Sequence, residues 1–216
     1  MSPGLGGLRR LTQPAQEEPA SATAPVPDET CEMCGVGIPA RHGHVADTHD
    51  HRLLCVCRPC HLLFAPDGAG GARFRGVGDT VRALDDLVLD EADWDGLQIP
   101  VDLAFFFRHS DEDVFHAFYP GPGGATESTL DLASWTAVLD ANPEIAAMMP
   151  DVEAVLLRHL DPGFSAHVTP IDVCYELVGI VREHWEGLHG GDDVWQRIAT
   201  FFEELDRRGQ SASRAG

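Results

Sequence analysis

Cys31, Cys34, Cys55, Cys57 and Cys60 are five of the chain's six cysteines, and they share one thirty-residue window. The order is Cys-x2-Cys, a gap of twenty residues, then Cys-x-Cys-x2-Cys. Two Cys-x2-Cys pairs flanking a polar, hairpin-sized insert have the spacing of a tetrahedral thiolate site for zinc. Metal is favoured over disulfides because the pairs are so short in sequence and the chain reads as intracellular, where thiols stay reduced. The expected ligands are Cys31, Cys34, Cys57 and Cys60, holding one structural zinc, with iron as the alternative.

The elements that must position these thiols can be read beside them. Cys34-Gly35 has the form of a knuckle, because a glycine there permits the tight turn that brings backbone N–H groups onto the sulfurs. His51 to Cys57 reads as the returning strand of a hairpin, and Arg58-Pro59-Cys60-His61 opens a short helix. Knuckle, hairpin and a helix whose first turn carries the last ligand describe a treble clef. Cys57 is preferred over Cys55 because it has the helix-opening spacing to Cys60. Cys55 is left as a thiol behind the ligands, an alternative ligand, or a small buried residue.

His42, His44, His49, His51 and His61 crowd the same window. A ligand or a catalytic base among them is the sharper reading; polar surface residues of the insert is the plainer one. The plainer one is preferred, since four cysteines already complete a tetrahedron and a closed site is structural by default. Two variants compete. Cys31-x2-Cys34, His42-Gly43-His44-Val45 and Leu54 to His61 resemble zinc-braced HNH nucleases, with His44 and His61 in the catalytic and metal-binding parts. The usual acidic-His-His run is missing, however. Cys31-x2-Cys34-Gly35 also fits a rubredoxin-like iron electron carrier, but Cys60 is followed by His61 where that fold uses glycine.

Around the window, the 216 residues divide into a disordered arm (1–28), the cysteine module (29–66), a glycine-rich joint at Asp67–Ala72, an α+β domain (72–208) and a disordered tail (209–216). Hydrophobic content of 44% is enough for a packed core without staples. The formal charge of −20 is uneven. Residues 31–78 carry five Arg against four acids, whereas 79–216 carry eight Arg against 27 acids, a net of −19. Such a domain repels phosphate backbones and anionic membranes, so no nucleic acid and no membrane partner is expected. There is no lysine at all, which reads as the bias of a GC-rich genome. Arg9-Arg10 has no apolar stretch behind it and no run approaches a membrane span, so the expected location is the cytoplasm.

Periodicity predicts the elements of the second domain. Ala72–Val77 and Thr80–Val88 read as short strands, Asp90–Leu97 as a helical turn with Trp94 and Leu97 inward, and Val101–Arg108 as a buried central strand. Val114–Tyr119 pairs with that strand, and Tyr119 to Ser128 reads as a glycine-rich strand-to-helix turn without the Lys-Ser/Thr of a P-loop. A helix is expected over Asp131–Ala141 with Asp131 as N-cap, and strands over Asp151–Leu160 and Phe164–Val168. Thr169-Pro170 with Asp172 reads as a capping box for a helix lined by Cys174, Leu177, Val181, Trp185 and Leu188. A last helix, Val194–Leu205, buries Trp195, Ile198, Phe201, Phe202 and Leu205. Strands that come first and as neighbours give an α+β fold, a mainly antiparallel sheet covered by helices behind a treble-clef or zinc-ribbon-like module.

Several tracts together resemble one family: Cys31-Glu32-Met33-Cys34-Gly35, Arg52 to Cys60, Leu97-Gln98-Ile99-Pro100-Val101, Tyr119-Pro120-Gly121-Pro122 with Ala125-Thr126-Glu127-Ser128, and Pro170 to Gly179. It is an uncharacterised actinobacterial family whose genes accompany high-affinity [NiFe]-hydrogenase operons, and the resemblance spans about residues 30–206. It implies an accessory role in hydrogenase assembly or metal-centre maturation, with hydrogenase subunits or maturation factors as protein partners. It supplies no active site. The expectation is therefore a zinc-braced, non-enzymatic accessory protein working through protein contacts, with the nuclease and the iron carrier as rivals.

Overall fold

The computed structural model describes residues 29–65, 73–128, 133–187 and 189–213. The arm at 1–28, the whole of the joint, the Asp131 cap and Leu188 lie outside them.

Short hairpins build the cysteine module. Strands β1 (Glu29–Thr30) and β2 (Gly37–Ile38) pair across the first Cys-x2-Cys turn. β3 (Gly43–Asp47) and β4 (Arg52–Val56) form the antiparallel hairpin, and α1 (Arg58–Leu63) follows with Cys57 at its N-cap. Beyond the joint, β5 (Phe74–Gly76) returns to pair with β3, so the module's sheet takes its third strand from outside the expected 29–66 span. Phe74 packs on Phe64, and a Cβ at Gly76 would stand 2.7 Å from the Phe64 carbonyl oxygen. Only glycine lets the strand run this close to the end of α1.

The rest is α+β, as the periodicity predicts. After β6 (Arg82–Ala83) and α2 (Glu91–Leu97) come β7 (Leu103–Arg108), β8 (Phe115–Gly121) and β9 (Gly124–Glu127). Helices α3 (Ala133–Ala141) and α4 (Pro143–Ala146) lead to β10 (Glu153–His159) and β11 (Phe164–Pro170). α5 (Ile171–His184) and α6 (Gly191–Ser213) close the chain. The sheet order is β6-β11-β10-β7-β8-β9, antiparallel throughout.

Both faces of this sheet are covered, which explains the continuous apolar run at 103–107. Leu103, Phe105, Phe107, Ala154 and Leu156 pack with α5, α6 and the module's Ala46. Ala104, Phe106, Val155 and Leu157 pack with Trp94, Trp135 and Ile145 on the other side. Adjacent residues of one strand thus serve two separate cores.

Four expectations are corrected. The Thr169 capping box does not form: Thr169 stays in the ladder opposite Ala154, and α5 begins at Ile171 without a side-chain cap. The glycine-rich segment after Tyr119 is a hairpin turn between β8 and β9, so its backbone is used in the sheet rather than presented to a ligand. Trp195 is 37% exposed, because the buried face of α6 runs through Val194, Ile198, Phe202 and Leu205, one position away. Finally, α6 continues to Ser213, into the stretch expected as a tail, with Gly209 against Ala83 of β6. By contrast, α2 forms where expected with Trp94 and Leu97 buried, and the structure adds a reciprocal capping box of Asp90 and Asp93.

Arg73, just before β5, and Arg75 within it fasten the module. Arg73 binds the buried Asp47 through Nε at 3.0 Å and Nη2 at 2.8 Å, while Arg75 pairs with Asp151 of the main domain at 3.0 Å. Chiefly through Arg73, and against its own burial, the Asp47 carboxyl is held down from 3.8 to about 2; the amides of Asp50 and His49 add to this. A lowered folded-state pKa contributes stability above the unfolded value that is lost on acidification. Stability from this pair is therefore complete above about pH 4 and disappears as pH falls through about 2. Urea midpoints measured against pH should show this acid limb, and Asp47→Asn should flatten it.

Candidate metal centre

The local chain explains how the four thiols converge. In the knuckle, the Gly35 N–H donates to the Cys31 carbonyl and the Cys31 N–H to that of Val36, both at 2.8 Å. This folds Cys31 and Cys34 onto one side, and Gly35 takes φ +74°, a value glycine accepts freely. β4 delivers Cys57 to the N-cap of α1, and Cys60 sits within that helix. One sulfur from each of Cys31, Cys34, Cys57 and Cys60 lies within 4.8 Å of the others. The sequence-predicted quartet is brought together as one cluster.

The spacing fits a tetrahedral ion. Sγ of Cys34 and Sγ of Cys57 are 3.7 Å apart, far beyond a disulfide bond. A tetrahedron with metal–sulfur bonds of about 2.3 Å has edges of about 3.8 Å. Zinc and iron share that geometry when bound by four thiolates.

The electrostatics also call for a cation. Burial works to raise the Cys31 thiol, yet the backbone N–H groups of Cys57, Cys34 and Met33 outweigh it and bring it to about 6. Cys60 moves the other way, pushed up to about 12 by its hydrogen bond with Cys57, by burial and by the other two thiols. Cys34 is also raised: the Val36 amide pulls it down, but Cys31 and Cys57 prevail. The fold thus favours the thiolate at Cys31, whereas Cys34 and Cys60 ionise more readily with a cation among them.

The remaining residues of the window separate cleanly. His61 donates from Nε2 to the Val77 carbonyl at 2.8 Å, tying α1 to the main domain, so it is engaged structurally. His49 lies beside Asp50 at 2.9 Å in the hairpin turn. His51 stacks on His109, with ring centroids 3.9 Å apart, and contacts Asp111 at 3.1 Å. His51 and His109 also line a cleft of about 290 Å³ between the module and the sheet, with Asp47, Phe107, Glu127 and Tyr175 among its walls. His44 pairs with Asp172 of α5 at 2.8 Å, and Cys55 lies directly across from His44 in the β3–β4 ladder. Burial raises the Cys55 thiol, and Glu32 and Glu29 raise it further. Cys174 is fully buried, its thiol pushed up to about 12 by desolvation, and it is core as its place on the helix stripe predicts.

Residues 30–209 match a family of unknown function, DUF5947. The chain belongs to this family. No curated protein and no solved structure matches it. The match takes in both the thiolate cluster and the six-stranded sheet. Among the described residues, no helix is long and apolar enough to cross a membrane.

Proposed function

We propose that this member of DUF5947 is a non-enzymatic accessory protein whose Cys31–Cys34–Cys57–Cys60 site holds one structural zinc, and which acts in the cytoplasm by binding another protein. The observation that carries this reading is the closed thiolate quartet. Four protein ligands leave no coordination position for a substrate, so the ion's work is to fix the knuckle and α1. Those two elements hold out Val36, Leu62 and Leu63, each more than half exposed. Apolar side chains kept in water on a metal-fixed frame suit a protein contact. The resemblance of the sequence tracts points to a [NiFe]-hydrogenase subunit or maturation factor as the client. The acidic domain, with its net of −19 over residues 79–216, suits a basic partner face and disfavours nucleic acid.

The test is capture of hydrogenase subunits by tagged protein from cells expressing the operon, together with a clean deletion. Co-purification and a fall in hydrogenase activity are expected, and the double variant Leu62→Glu, Leu63→Glu should lose capture while keeping its zinc. Normal activity in the deletion strain with no captured subunit would overturn the reading.

A further inference from the structure

The β3–β4 hairpin has two working faces. Val45, Leu54 and Val56 point into the small core around Cys31. Of the alternate positions, Ala46 and Leu53 join the main domain's core, His44 reaches Asp172 of α5, and Cys55 lies at the edge of the small core, directly across from His44 in the ladder. His42 immediately precedes the strand, and its ring centroid lies 4.9 Å from that of His44. One donor atom from each of His42, His44 and Cys55 lies within 4.8 Å of the other two, in a group separate from the four brace cysteines.

The tautomers of both imidazoles are set from outside. Nδ1 of His42 is 3.0 Å from the Pro39 carbonyl, which can only accept, so this nitrogen carries the proton. Its Nε2 is then left with a lone pair, and that atom is buried with no hydrogen-bond partner on a side chain only 9% exposed. Nδ1 of His44 likewise donates to Asp172 Oδ2 at 2.8 Å. A carboxylate behind an imidazole, fixing its tautomer and making the far nitrogen more basic, is the arrangement found behind metal-binding histidines. An unpartnered buried nitrogen is costly unless something accepts its lone pair. A metal ion would do so.

We propose that His42 Nε2, His44 Nε2 and Cys55 Sγ form a second metal site for a borderline divalent ion of the zinc class, with Asp172 as its positioning carboxylate. Two imidazoles and one thiolate are a borderline-to-soft donor set, which zinc and copper accept and the hard ions magnesium and calcium do not favour. Three protein ligands leave a fourth position open, unlike the closed quartet. Such a site holds an ion that a second molecule can reach, and it gives Cys55 a role that the brace does not.

The site is tested on the full chain with the brace zinc in place, by titrating Co²⁺ as probe. One further equivalent should bind with a thiolate-to-cobalt charge-transfer band. Cys55→Ser should remove the band, His42→Ala should weaken binding at least about tenfold, and Asp172→Asn should weaken it by about 10–100-fold. All three should retain the brace zinc and a native circular dichroism spectrum, which separates failure here from failure of the brace. Absence of a second equivalent in the wild type would overturn the proposal, as would a band that survives Cys55→Ser. Should any variant not fold, the wild-type stoichiometry and the remaining variants decide.

Discussion

Cys57→Ser is expected to abolish tight metal binding and melt the cysteine module, while the six-stranded sheet stays folded. The module cannot hold itself together by burial. Its own core is Cys31, Ile38, Val45, Leu54 and Val56, with partly buried neighbours around them. Units of this size usually need a metal or disulfides, and its cysteines are free thiols. A structural zinc site supplies an apparent binding energy of about 10–16 kcal/mol in zinc-finger peptides at neutral pH, far above what so small a core contributes. Cys57 is also the N-cap of α1, which has no side-chain cap of its own, so its loss frees the helix as well as a ligand position. Hydrogen exchange should show β3, β4 and α1 losing protection, with β7 and β10 retaining theirs. Chelation of the wild-type protein should reproduce the pattern. Exchange in the module that is unchanged by either treatment would contradict it.

Phe106→Ala should cost about 3–5 kcal/mol of global stability, the range for emptying a buried aromatic site. Phe106 is fully buried and stacks on Trp135 with ring centroids 4.0 Å apart and planes within 8°. The stacking adds about 0.5–1.5 kcal/mol to the burial itself. The Trp135 indole cannot compensate by finding a new anchor nearby, since its Nε1 is already buried without a partner and packing alone holds the ring. The cavity would open beneath α3, on the face of the sheet away from the module. Urea unfolding should therefore show a much lower midpoint while metal content stays at the wild-type level. A loss under about 1 kcal/mol would mean that α3 closes over the gap.

These two substitutions fall on features that are plain in the sequence. Cysteine spacing alone picks out Cys31, Cys34, Cys57 and Cys60, because a knuckle and a helix start each fix two ligands through local geometry. The run from Leu103 to Phe107 announces a strand buried on both faces, which is what β7 is. What could not be read depends on contacts far apart in the chain. His44 looks like one polar insert residue among several until β10, β11 and α5 bring Asp172 to it across 128 positions. Cys55 has no evident use until the ladder register sets it opposite His44. The register was a knowable signal, since a hairpin turning near Asp50 aligns the two, but the distant carboxylate was not. Local rules also lost where tertiary structure offered more. Thr169 has the sequence of an N-cap, yet the ladder with β10 extends through it and claims its backbone.

A zinc brace at the thiolate quartet has its plainest signature in the metal content of the native protein. Elemental analysis after dialysis against metal-free buffer without chelator should find at least one zinc per chain in a colourless protein, with one equivalent retained after any more labile ion has been lost. Iron in its place, with a visible thiolate-to-iron absorption band, or a folded module holding no metal, would contradict the account.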